Sequence, residues 1–116
     1  MGTHQYQSKL IEETRKQAQQ HVDAITLFQN FIQNMTLNPL LTPSDKSLFK
    51  ELQSQFDDHL THLTTLRSEF AQFYTYDPHE QTELFELTST IFTNTHQLIL
   101  SIPHKISQTH IAQKMD

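Results

Sequence analysis

Large apolar residues recur at alternating spacings of three and four positions through the middle of the chain. The most apolar such series contains one polar member and consists of Phe49, Leu52, Phe56, His59, Leu63, Leu66, Phe70 and Phe73. This alternation is typical of one side of an α-helix that packs against other helices, as in a coiled coil. It therefore predicts a long helix at about 44–75.

Two further series with the same spacing flank the first. The earlier one is Ile11, Thr14, Ala18, His21, Ile25, Phe28, Ile32 and Met35, and the later one is Leu84, Leu87 or Thr88, Ile91, Thr95, Leu98 and Ile102. Prolines separate the three series, and proline disfavours continuation of a helix because it lacks a backbone N–H. The series predict helices at about 3–36 and 78–102.

The spacing and the short connections predict an all-α, antiparallel three-helix bundle that forms a single domain of residues 1–116. Two helix starts are marked by capping residues followed by proline, in Thr42-Pro43-Ser44-Asp45 and Asp77-Pro78-His79-Glu80. Pro103 is expected to end or kink the third helix. The remainder, at about 103–115, is then either a short fourth helix or a tail.

Antiparallel alignment brings three polar residues to one level of the predicted core. Folding about residues 39–41 places His21 opposite His59, and folding about Asp77 places His59 opposite Thr95. Three interpretations of this layer are open. It fixes helix register through hydrogen bonds, it responds to pH because buried imidazoles resist charging, or it binds a metal ion.

The third helix carries more apolar surface than one seam requires. Phe85, Phe92 and Ile99 follow each other at seven-residue spacing beside the main series. Either this helix lies between two others or the extra face contacts a partner. We therefore predict a partner-binding surface made of Phe85, Phe92, Ile99, Ile106, Ile111 and Met115.

Composition excludes several functional classes. The net charge is −5 and the eight basic residues are scattered along the sequence, which argues against nucleic-acid binding. The chain has no cysteine, and its only glycine is Gly2, so it lacks the glycine-rich loops that hold phosphates or dinucleotides. We predict that the protein is not an enzyme, with no catalytic, cofactor-binding or metal-binding residues.

The sequence favours a non-enzymatic protein–protein interaction module, such as an adaptor, a secretion partner or a small chaperone. It would bind a helical partner or a second copy through an apolar helix face. The alternative is a pH- or metal-responsive bundle that senses through the His21/His59 layer. No apolar run reaches the roughly 18 residues of a membrane span, so we expect a cytoplasmic protein, with export left open.

Overall fold

The computed structural model describes the backbone of residues 2–109 and the side chains of residues 5–109. Three long helices pack as a bundle: α1 (Gly2–Met35), α2 (Pro43–Ala71) and α3 (Pro78–Ser107). A short 3₁₀ helix, Phe73–Thr75, lies between α2 and α3. The predicted all-α three-helix bundle is confirmed.

Side-chain caps fix where α2 and α3 begin. The hydroxyl of Thr42 accepts a hydrogen bond from the backbone N–H of Asp45, whose carboxylate accepts one from the N–H of Thr42, at 3.2 and 3.3 Å. The Asp77 carboxylate accepts from the N–H of Glu80 at 2.8 Å. These bonds satisfy backbone donors that have no partner within the helix.

The series from Phe49 to Phe73 forms the centre of the core; we call it the α2 series, although α2 ends at Ala71, before the expected end at about 75, and Phe73 lies in the 3₁₀ helix. All seven of its apolar members are at most 4% exposed, and α1 and α3 surround them with Ile11, Ala18, Ile25, Ile32, Leu84, Leu98 and Ile102. The spacing of three and four keeps these side chains on one side of each helix, so burying one buries the series. The hydrophobic seams therefore hold the three helices together.

The end of α3 differs from the expectation based on Pro103. The helix continues through this proline to Ser107. Ile102 is fully buried and Ile106 packs against the core, so apolar contacts on both sides of the proline outweigh the one backbone hydrogen bond that it removes. Residues 103–107 thus belong to α3, whereas Ile111 and Met115 lie outside the described residues.

Within residues 2–109, none of the helices combines the length and apolar character that a membrane crossing requires.

Candidate functional site

An open groove runs along the surface between α2 and α3. Its volume is about 810 Å³. On α2 its lining extends from Gln55 to Glu69, which corresponds to roughly 21 Å at the α-helical rise per residue. The groove is therefore about four helical turns long.

Four aliphatic side chains form the base of this groove. Leu66 and Leu98 are buried, Ile91 is half-buried, and Leu87 is 51% exposed. Leu87 and Ile91 lie one turn apart on α3, and Leu98 lies two turns beyond Ile91 with the polar Asn94 between them, so these residues form an apolar stripe with one gap. The exposure of Leu87 indicates that the stripe is only partly covered by the chain itself.

Polar side chains border the apolar base on both helices. From α2 come Asp58, His62 and Thr65, and from α3 come Thr90, Asn94 and Gln97, all of them exposed. Apolar walls with a few polar groups at the edges are the usual composition of a binding site, because burial supplies affinity and the polar groups supply orientation.

His59 lies at the middle of the groove and is joined to α3 by a hydrogen bond. Its Nδ1 is 3.0 Å from the hydroxyl oxygen of Thr95, which is fully buried. Its ring also meets the ring of His62 edge-on, with centroids 6.3 Å apart. Two of the three residues of the expected polar layer are therefore in direct contact.

The environment of His59 favours its neutral form. Burial lowers the pKa of this imidazole below 6.5, and the nearby His62 lowers it further, while the carboxylate of Asp58 acts in the opposite direction. Desolvation penalises the charged ring because water no longer surrounds it fully. Protonation of His59 therefore opposes folding.

His21, the third residue of the expected layer, contacts other groups. Its ring stacks on Phe92 with centroids 4.8 Å apart, and its Nδ1 donates to the backbone carbonyl of Gln17 at 2.7 Å. The ring is half-buried between α1 and α3. The structure therefore joins His59 to Thr95 and places His21 against an aromatic side chain of α3.

The expected partner face of α3 is partly covered by the chain itself. Phe85 lies 5.4 Å from both Phe70 and Phe73, measured between ring centroids, and Phe92 is stacked on His21. Ile99 and Ile106 also pack against the core and are half-buried. At these positions α3 packs against both α1 and α2, and binding of a partner by this face stays a prediction.

Sequence reasoning missed the polar residues that border the groove, including Asn94, Gln97 and Lys105. One signal was available, because Ile91, Leu98 and Lys105 repeat at seven-residue spacing and therefore lie on one line along α3. The sequence did not reveal that α1 leaves this line uncovered.

The histidines of the groove do not form a recognisable metal centre. Among the described residues, no three or more His, Asp or Glu side chains are grouped so that they could hold a metal ion. A structural zinc site requires about four such ligands.

Comparisons with protein-family models, with curated proteins and with solved structures found no match.

We expect the stability of the fold to depend on the protonation of His59. Because its pKa is lowered in the folded state, the unfolded chain binds this proton more readily, and stability is lost as the pH falls below 6.5. Urea unfolding at several pH values between about 5 and 8 measures the slope of the free energy of unfolding against pH. We expect a shallower slope in His59→Gln, which cannot titrate.

The exposed His96 on α3 provides the matched control. His96→Gln removes the same type of group and should leave the slope closer to that of the native chain. Equal slopes in the native chain and in His59→Gln would contradict this assignment.

Proposed function

We propose that this protein is a non-enzymatic interaction module that binds an amphipathic α-helix of a partner protein in the α2–α3 groove. The observation that carries this proposal is the groove itself, with an apolar base between polar edges. A partner helix with apolar residues on one side would cover that base and complete a four-helix arrangement. An adaptor, a secretion partner or a small chaperone would act in this way.

The dimensions of the groove suit a helix. Four turns of α2 border it, and α3 lines it from Leu87 to Lys105. A helix of about 14 residues spans roughly 21 Å and presents an apolar residue to the groove on each turn. An elongated apolar stripe of this kind matches a helix better than it matches a compact ligand.

The degree of burial also favours the groove over the face that the sequence suggested. Phe85 and Phe92 already pack on the rings of Phe70, Phe73 and His21. A partner that contacted them would add little newly buried apolar area. Leu87, by contrast, belongs to the apolar base of the groove and is 51% exposed.

A pair of leucine substitutions on α3 tests this proposal. Leu87 lines the groove, whereas Leu100 does not, and both are more than half exposed. The probe is a synthetic amphipathic peptide of about 18 residues with leucines on one face and an uncharged polar face. By fluorescence anisotropy, we expect Leu87→Ser to weaken its binding about five- to tenfold, because the apolar contact is lost.

Leu100→Ser is the matched control. It makes the same change in the interior of the same helix, so the cost in helix propensity is similar. We expect the affinity for the peptide to change by less than about twofold. Equal weakening by the two variants, or a peptide that does not bind, would contradict the proposal. A molecular mass by light scattering that doubles with concentration, and does so only with Leu87 intact, would identify a second copy as the occupant instead.

A second candidate function is a pH-responsive bundle. The observation that favours it is the environment of His59. This residue lies in the groove, forms a hydrogen bond with Thr95 and has a lowered pKa. Protonation would place a charge beside the apolar base. The unfolding series with His59→Gln tests this candidate independently of peptide binding.

A further inference from the structure

The charges along the α2–α3 groove are unevenly distributed. At the Glu69 end, the groove adjoins a smaller cavity of about 460 Å³, which shares Thr65, Glu69 and Leu87 with it. This cavity adds the carboxylates of Glu80 and Glu83. We call this the acidic end. Its three carboxylates are those of Glu80 and Glu83, which lie about one turn apart on α3, and of Glu69 on the facing part of α2.

The opposite end of the groove carries a cation. Lys105 lies in the last turn of α3, and its Nζ donates to the side-chain oxygen of Gln55 at 3.4 Å. Between the two ends lie Asp58, His59 and His62. At neutral pH the groove therefore has an acidic end, a middle with one carboxylate and two imidazoles, and a basic end.

Local partners leave the acidic end negatively charged. The Glu69 carboxylate accepts a hydrogen bond from the hydroxyl of Tyr76, and Glu83 lies 2.9 Å from the imidazole of His79. The Tyr76 bond contributes no positive charge. The His79 contact neutralises Glu83 only when the imidazole is protonated.

We infer that the occupant of the groove is a basic amphipathic helix whose N-terminal half lies at the acidic end, so that it runs parallel to α3. This inference rests on the proposed function. The lysines or arginines of the partner would face Glu69, Glu80 and Glu83, and its C-terminal end would face Lys105.

The helix dipoles do not oppose this orientation. The positive end of the docked helix meets the acidic end, and its negative end meets Lys105, so both of its termini face an opposite charge. Because α2 and α3 run antiparallel, the effects of their own dipoles on a third helix largely cancel. The side-chain charges therefore decide the direction.

Two peptides of identical composition test the inference. Both are about 18 residues long and share one leucine face. The first carries lysines in its second and third turns and glutamates in its last turns, and the second has these positions exchanged. We expect the first peptide to bind about five- to tenfold more tightly by fluorescence anisotropy at about pH 8, since several exposed pairs contribute together.

Salt and helix content distinguish charge pairing from other causes. The preference should shrink between about 50 mM and 500 mM sodium chloride, because salt screens exposed charges. Glutamates near the N-terminus stabilise an isolated helix, so intrinsic helicity favours the second peptide and works against the expected result. Circular dichroism of the free peptides measures this bias.

Charge reversal on the protein provides the matched pair of variants. Glu83 borders the acidic end, and Glu86 lies three residues further along α3 without lining either cavity; both are exposed. We expect Glu83→Lys to remove most of the preference for the first peptide and Glu86→Lys to retain it.

The outcomes separate this inference from the proposed function. If neither peptide binds, the helix-binding function fails. If both bind equally, or the second binds more tightly, the groove still binds a helix and the inferred charge and direction of the partner are wrong.

Discussion

Replacing Phe56 by alanine is expected to lower the free energy of unfolding by about 3–5 kcal/mol. Phe56 is fully buried at the centre of the α2 series, one turn from His59. Truncation loses the free energy gained by burying the ring away from water, and it leaves a cavity that the surrounding helices fill only in part. Since small domains are stable by about 5–15 kcal/mol, this loss is a large share of the total.

Urea unfolding followed by circular dichroism measures the effect. Phe31→Ala on α1 is the control, because Phe31 is 45% exposed and lies outside the seam. We expect its cost to be about 1 kcal/mol or less, since little buried surface is lost. Similar losses in the two variants would contradict the assignment of the α2 series as the core.

Removing the cap at the start of α2 is expected to cost about 1–2 kcal/mol. Thr42 and Asp45 each accept a hydrogen bond from the other's backbone N–H, and Asp45 is also buried and negatively charged near the positive end of the helix. Thr42→Ala and Asp45→Ala each remove one of these bonds. Denaturant unfolding of both single variants and of the double variant measures the contribution.

The double variant shows whether the two residues act as one unit. Because each bond holds the geometry of the other, we expect the double variant to lose less than the two single losses combined. Ser54→Ala, at an exposed position within α2, should change stability by less than about 0.5 kcal/mol. Full additivity of the two cap variants would mean that the bonds form independently.

The sequence predicted the helices well where local chemistry decides them. Proline, a capping oxygen and an acidic side chain occur together at Thr42-Pro43-Ser44-Asp45, and the structure begins α2 at Pro43. The same chemistry at Asp77 precedes α3. These signals are readable because a cap involves residues only three positions apart.

The sequence was a weaker guide at Pro103. A proline within a helix carries a local penalty, and that penalty predicted an end or a kink. The contacts of Ile102 and Ile106 with the core oppose it, and α3 continues to Ser107. Such long-range contacts depend on the positions of α1 and α2, which local spacing does not specify.

The candidate site shows the same division. The sequence singled out His59 and Thr95, and the structure joins them by a hydrogen bond. It also singled out Phe85 and Phe92 as surplus apolar surface, and the structure packs both rings against other aromatic rings. Leu87, which lines the groove, is exposed and lies on a different side of α3.

By itself, the sequence determined the three long helices, where each begins, the seams that form the core and the polar residues within those seams. The physical reason is that each of these depends on the angular position of a side chain around one helix, which residue spacing gives directly. The tertiary structure decided which faces α1 covers, and therefore where the α2–α3 groove opens and which charges border it. These features depend on the distances and angles between helices, which arise from packing the whole core together.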